Sequence, residues 1–357
     1  MKILLLKFRN IGDVLLSTPL VNNLRHHYPN AQIDFCVNKE TEAMLTLNPN
    51  LNKIITYDRI AIKSLTSIKR FWRELQFIRS FKKENYDVVI NLTSGDRGNL
   101  IAWISNATTR IGYSNKSWFF RKSLTHELPK QELRHTVDAS LDPLRLLNIP
   151  ISNKSVEIFW NSKDEQAISS ELTNINNFIH LHPVSRWLFK CISDNTMAQI
   201  IDYCQLNIGL KVVITASEDK FELEKVNKIL SQTKSKPINL SGKLSLKETA
   251  ALNKKAKLFI GVDTSIMHIS ASNNVPVLAF FGPSGACHWG PWDNSMVTSG
   301  YSMIKGFQVM GMHRVFSESR PCQPCGKDGC NGSKISDCLM NLDFEKIKGN
   351  IVEMLDD

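Results

Sequence analysis

The 357-residue chain has no apolar run long enough to cross a bilayer and lacks the common phosphate-loop fingerprints. Its opening, MKILLLKF, is interrupted at Lys7 and turns polar at Arg9, Asn10, Gly12 and Asp13. That is too little for the core of a signal peptide and far less than the ~20 apolar residues of a spanning helix. The segment is expected to be a buried parallel strand, and the protein to stay in the cytoplasm and meet any membrane only at its surface. No G-x-G-x-x-G follows this strand, which excludes the dinucleotide fingerprint, and no Gly-Lys-Ser or Gly-Lys-Thr occurs, which excludes a Walker A loop. Acidic residues are also in deficit, 34 against 44 Lys and Arg, for a net charge of +10. Such a surplus attracts nucleic acid, acidic lipid headgroups or phosphorylated sugars without choosing among them.

What is present is alternation. Ile3 to Leu6, Ala31 to Val37, Ile54 to Tyr57 and Val88 to Leu92 read as strands, with helices at Val14 to His27 and Ile68 to Phe81 between them. The second half repeats the pattern. Strands are expected at Asn177 to His182, Leu210 to Thr215, Leu258 to Val262 and Val275 to Phe281. Helices are expected at Asn195 to Leu206, capped by Asp194, and at Phe221 to Leu230 and Ser265 to Ala271. This grammar implies an α/β protein of two domains, each a parallel sheet covered on both faces, with sites beyond the carboxyl ends of the strands. Weak periodicity from Asn148 to Ser162 marks the junction, giving domains of 1–155 and 156–341. A final helix, 342–357, carries an apolar stripe at Phe344, Ile347, Ile351 and Leu355 and is expected to pack back toward that junction. The density of Gly and Pro from Gly282 to Gly332 marks loops.

Four strand-end loops carry chemistry-bearing residues. In Phe8-Arg9-Asn10-Ile11-Gly12-Asp13, Gly12 permits close approach and Asp13 stands at a helix N-terminus, either as a cap or as a carboxylate able to accept a proton. In His182-Pro183-Val184-Ser185-Arg186-Trp187-Leu188-Phe189-Lys190, Ser185, Arg186 and Lys190 suit an anion. In Gly261-Val262-Asp263-Thr264-Ser265-Ile266-Met267-His268, Asp263, Thr264 and Ser265 begin a helix whose free N–H groups suit phosphoryl oxygens. His268 lies on the same helical face as Thr264. The fourth loop breaks a strand at Gly282 and Pro283, so that backbone can come close to a ligand. Elsewhere, Arg97 follows the strand ending near Leu92 and so should face the cleft, and Lys63, Lys69, Arg70, Arg73, Arg79, Lys82 and Lys83 interleave with Phe71, Trp72, Phe77 and Phe81. This reads either as an ordinary amphipathic helix or as a surface drawn to an anionic, lipid-bearing partner.

Of eight cysteines, Cys36, Cys191, Cys204 and Cys287 are scattered and expected in the core. Cys322, Cys325, Cys330 and Cys338 read C-x2-C-x4-C-x7-C, a spacing that suits a structural tetrahedral zinc site. A redox pair or four free thiols remain alternatives, and a disulfide framework is not expected.

Taken together, LLLKFRNIGDVLLSTPLVNNL, LHPVSRWLFKCIS, LFIGVDTSIMHISAS and PVLAFFGPSGACHWGPW resemble the lipopolysaccharide core heptosyltransferases of glycosyltransferase family 9, most closely the heptosyltransferase III type. The resemblance implies a GT-B fold, two Rossmann-like domains facing each other across a cleft, the first holding the acceptor and the second ADP-heptose. It implies an inverting transfer that requires no cofactor, with Asp13 as the base and Lys190 on the donor phosphates. Ser185 and Arg186 would share that phosphate loop, while Asp263, Thr264 and His268 would hold phosphates and sugar. The ribose acid would lie just beyond Thr215, where Glu218, Asp219 and Glu222 compete. The chain contains no D-x-D triplet, in keeping with phosphate neutralisation by Lys, Arg and helix amides. The implied partners are ADP-heptose, a phosphorylated inner-core acceptor and, transiently, the inner leaflet, with no obligate protein partner. The alternatives kept open are another nucleotide-sugar or acceptor on the same scaffold, a basic-cleft nucleic-acid-binding module, and a scaffold without activity.

Overall fold

A computed structural model describes residues 1–114, 123–130, 132–173 and 175–356. The chain divides into two units, Met1–Glu132 with Thr136–Phe159, and Leu133–His135 with Trp160–Asp357. The division falls within the weakly periodic stretch, a few residues beyond the expected boundary at 155, because most of that stretch is pinned to the first unit. Asn23 Oδ1 accepts the Ser152 amide at 2.8 Å, and the Glu157 amide donates to Thr18 Oγ1 at 3.1 Å.

The first unit contains strands β1 (Lys2–Lys7), β2 (Gln32–Asn38), β3 (Lys53–Tyr57), β4 (Val88–Asn91), β5 (Thr109–Gly112) and β6 (His126–Glu127). They form one parallel sheet in the order β3-β2-β1-β4-β5-β6, the Rossmann order. β1 is buried from Ile3 to Leu6, as a strand covered on both faces must be. The single helix expected over Val14 to His27 is two, Ile11–Leu15 and Thr18–His27. Pro19 lacks an amide hydrogen for the ladder, and Ser17 and Thr18 turn their hydroxyls back onto the carbonyls of Asp13 and Leu15.

The second unit contains β7 (Phe178–His182), β8 (Lys211–Ile214), β9 (Ile238–Asn239), β10 (Leu258–Val262), β11 (Val277–Phe280), β12 (Gln308–Met310) and β13 (His313–Phe316). Their order, β12-β13-β11-β10-β7-β8-β9, is the same topology with an antiparallel edge strand added. That edge hairpin lies in the stretch expected to be loop throughout. Its turn requires Gly311, which has φ +54° and would meet the Asp293 carboxylate if it carried a Cβ. The helix expected over Asn195 to Leu206 begins one residue earlier, capped by Ser193, and passes into a π-turn over Tyr203–Asn207. The stripe of the last helix, Phe344–Asp356, packs into the second unit's own core, where Ile347 and Ile351 join Met197, Ile201 and Cys204.

In each sheet the strand order reverses once, between β1 and β4 and between β7 and β10, and sheets of this kind bind ligands outside the carboxyl ends at that point. In the second unit the approach of β10 to β7 depends on Gly261, whose Cβ would stand 2.7 Å from the His182 carbonyl oxygen and from the Phe259 ring. Gly261→Ala is therefore expected to lose about 1–3 kcal/mol of unfolding free energy, read as a lowered midpoint in urea with an unchanged slope.

Candidate functional site

At the reversal point of the first unit, β1 and β4 are tied together by polar contacts. Lys7 Nζ donates to the Leu92 carbonyl at 3.2 Å, and the Phe8 amide donates to Thr93 Oγ1 at 2.9 Å. Asp13 is half-buried at the start of its helix, and its Oδ2 accepts the Asn10 amide at 3.3 Å. The contact is long, and the second carboxylate oxygen is not engaged by the cap. Burial holds the Lys7 amine below its ordinary range, opposed by the nearby charge of Asp13. Lys7 is thus a member of this site that the sequence pattern hid, because it sits inside a run that reads as a strand. Arg97 points elsewhere. Its guanidinium pairs with Glu74 at 3.0 Å, donates to Tyr57 Oη at 2.9 Å and stacks on the Tyr57 ring at 4.1 Å. It is committed to protein partners and does not present a free cation.

The second unit's reversal point is built from three strand ends. Lys190, after β7, pairs through Nζ with Asp263 Oδ2, after β10, at 2.6 Å. Ser284, after β11, donates to the same oxygen at 2.5 Å. Burial opposes the charge of Asp263, yet Lys190, Ser284 and His268 together hold its carboxyl below the usual range. Thr264 begins the helix Ser265–Ser272 without capping it. Its Oγ1 and the Nδ1 of His268 are buried with no partner among the described residues. Two buried polar atoms without partners thus lie beside a helix N-terminus and within reach of the Lys190 charge, a set of groups suited to an anion. Ser185 is buried and accepts the Trp187 amide at 3.2 Å, while Arg186 is exposed over the Trp187 ring at 5.1 Å.

Other expected residues resolve differently. Asp219 caps helix Lys220–Leu230, its Oδ1 accepting the amides of Phe221 and Glu222. Glu222 is buried and accepts the Ser217 amide at 3.0 Å, whereas Glu218 stands exposed in the same turn. Gly282 packs closely against the Cys-rich segment. A Cβ there would meet the Leu339 side chain at 2.6 Å and Cys338 Sγ at 3.3 Å, so its bareness serves packing against the Cys-rich segment. Nor do the four cysteines come together as the expected tetrahedral set. Among the described residues no three His, Cys, Asp or Glu are grouped to hold a metal ion. Cys322 is exposed and Cys338 is buried, its thiol pushed up to about 11 mainly by burial. The segment instead buttresses the turn after β11, where Gln323 Nε2 donates to the Gly282 carbonyl at 3.1 Å.

With this geometry in place, likeness to known proteins becomes informative. Residues 74–307 match the profile of Glycosyltransferase family 9 (heptosyltransferase). The chain belongs to that family. It is 31% identical over 293 residues, 80% of this chain and 85% of the other, to "Lipopolysaccharide heptosyltransferase 3" of Escherichia coli. Among solved structures, the glycosyl transferase family 9 protein of Veillonella parvula covers 99% of this chain and 97% of its own length, with a TM-score of 0.79 at 23% identity. E. coli ADP-heptose LPS heptosyltransferase II covers 99% and 98%, with a TM-score of 0.75 at 17% identity. The GT-B fold and a glycosyltransferase activity follow. Among the described residues no helix is long and apolar enough to cross a membrane.

Burial holds His182, His268 and His313 at about 4. A histidine kept neutral in the fold takes up its proton only in the unfolded chain as pH falls below about 6.5, so folding stability declines on acidification through that window. Each such residue is expected to remove about 1.4 kcal/mol per pH unit between roughly pH 6 and 4, where the loss ends. Urea unfolding at half-unit pH intervals checks this, and His268→Gln should flatten the slope.

Proposed function

We propose that the enzyme moves L-glycero-D-manno-heptose from ADP-heptose onto an inner-core heptose of lipopolysaccharide, with inversion at the anomeric carbon. The observation that carries the donor half is the anion site of the second unit: the Lys190 amine, the orphaned Thr264 hydroxyl and the N-terminus of helix Ser265–Ser272, gathered at one switch point. The relatives' names supply the sugar and the acceptor.

In this reading the first unit contributes Asp13. Its carboxylate takes the proton of the acceptor hydroxyl while that oxygen forms its bond to the anomeric carbon. The bond from that carbon to the β-phosphate oxygen breaks on the opposite side, and ADP departs with the electron pair. Lys190 and the amides after Asp263 meet the charge that gathers on the leaving phosphate. Asp263 acts at one remove, holding Lys190 in place. The basic helix Ser67–Ser80 and its approach then face an acidic, lipid-bearing acceptor. Lys63, Lys69, Arg70 and Arg73 are exposed there beside Phe71 and Trp72, whose side chains are 62% and 60% exposed. This combination favours a weak contact with an anionic surface over insertion.

Incubating the purified protein with ADP-heptose and a series of truncated cores, then weighing the products, tests the reading. One truncation should gain one heptose, with an anomeric configuration opposite to that of the donor by NMR; no gain on any core overturns the assignment. Asp13→Asn should lower kcat by roughly 10²- to 10⁴-fold and leave ADP affinity within a few-fold. Lys190→Ala should both weaken the donor and slow turnover.

A further inference from the structure

Beneath the donor site of the second unit runs a buried chain of hydrogen bonds whose direction is fixed by two backbone carbonyls. Asn273 Nδ2 donates to the Ala250 carbonyl at 2.8 Å and to Asn253 Oδ1 at 3.1 Å. Because a carbonyl only accepts, Asn273 must present its nitrogen, and Asn253 must answer with its oxygen. Ser270 spends its one hydrogen on the Ile266 carbonyl at 2.8 Å, so toward Asn253 Nδ2, at 2.7 Å, it accepts. The other hydrogen of that amide goes to His180 Nδ1 at 3.0 Å. A neutral imidazole accepting at Nδ1 carries its hydrogen on Nε2, and His180 Nε2 lies 2.8 Å from Thr215 Oγ1. Thr215 then passes its own hydrogen to His182 Nδ1, 2.9 Å away. The chain therefore leaves His182 with a hydrogen on Nε2 and none on Nδ1.

His180 is wholly enclosed, but His182 keeps 6% of its surface. It is the last residue of β7, in register with Gly261 of β10, and directly precedes the loop carrying Ser185 and Lys190. No described residue accepts its Nε2 hydrogen. Burial keeps both rings neutral, His180 well below the ordinary histidine range and His182 at about 4.

We propose that His182 is a neutral hydrogen-bond donor, through Nε2–H, to the diphosphate of the nucleotide donor, and that Thr215, His180 and Asn253 are positioning residues that fix its tautomer. The inference rests on the donor-site reading above. A free imidazole would present a lone pair part of the time and repel a phosphoryl oxygen, whereas this one is held in the donating form before the ligand arrives. Helix Ser265–Ser272, which carries Ser270, is tied into the same chain, so the phosphate-facing turn and the histidine are set together.

The test has two arms. In the ADP-free protein, nitrogen-15 NMR of labelled histidines should show His182 as the single Nε2–H tautomer, and Thr215→Val should turn it into a mixture; a wild-type Nδ1–H form overturns the relay. By calorimetry, His182→Leu and Thr215→Val should each weaken ADP about tenfold or more and leave adenosine within a few-fold, and His182→Gln, which keeps an N–H at the far end, should recover most of the loss. Unchanged ADP affinity in His182→Leu, or an equal loss for adenosine, overturns the assignment to the diphosphate. If the wild type binds no ADP, the donor-site reading falls, and the tautomer arm still decides the relay.

Discussion

The ion pair between Lys190 and Asp263 is the constraint on which the second unit's site depends. Asp263 is buried, and a buried carboxylate stays charged only with partners at hand. Its partners come from different strand ends, Lys190 after β7 and Ser284 after β11, so three loops are fixed relative to one another through one oxygen atom. Removing the lysine would leave a buried charge short of a partner, a loss on the order of 2–3 kcal/mol before any ligand is considered. The same lysine acts electrostatically on His268, so the contact that shapes the loops also brings a charge to bear on that unpartnered imidazole.

The two units share a topology and differ in what their switch points hold. In the first, a buried lysine bridges strand ends and a carboxylate stands at a short helix, an arrangement suited to proton transfer. In the second, a lysine, helix amides and unpartnered hydroxyl and imidazole groups collect donors, an arrangement suited to phosphate. One Rossmann topology thus carries two different sets of strand-end residues, as expected where the strands fix position and the loops vary.

Much of this was legible in the sequence. The central strands of both sheets are largely apolar runs bounded by polar turns, and Lys190, Asp263 and Ser284, which meet in the fold, all lie on strand-end loops picked out by pattern. What stayed hidden depended on contacts across sequence distance. The β12–β13 hairpin rests on Gly311 packing against Asp293, which local pattern does not reveal. Arg97 reads as an available cation in sequence, but Glu74 and Tyr57, distant in the chain, surround it in the fold. Lys7 was masked by its strand, and the close packing of Leu339 on Gly282 joins residues far apart in sequence. The cysteine spacing suited a metal, but Cys322 and Cys338 lie in different environments. His182 looked like the end of a strand, and its meaning came only from the buried network behind it.

The central claim is that the second unit's switch point receives the donor's diphosphate. A crystal structure of the enzyme with ADP-heptose tests it most directly. Phosphate oxygens should stand within hydrogen-bond distance of Lys190 Nζ and the Thr264 hydroxyl. A nucleotide bound at the end of β1 in the first unit, with Lys190 still paired only to Asp263, would contradict it.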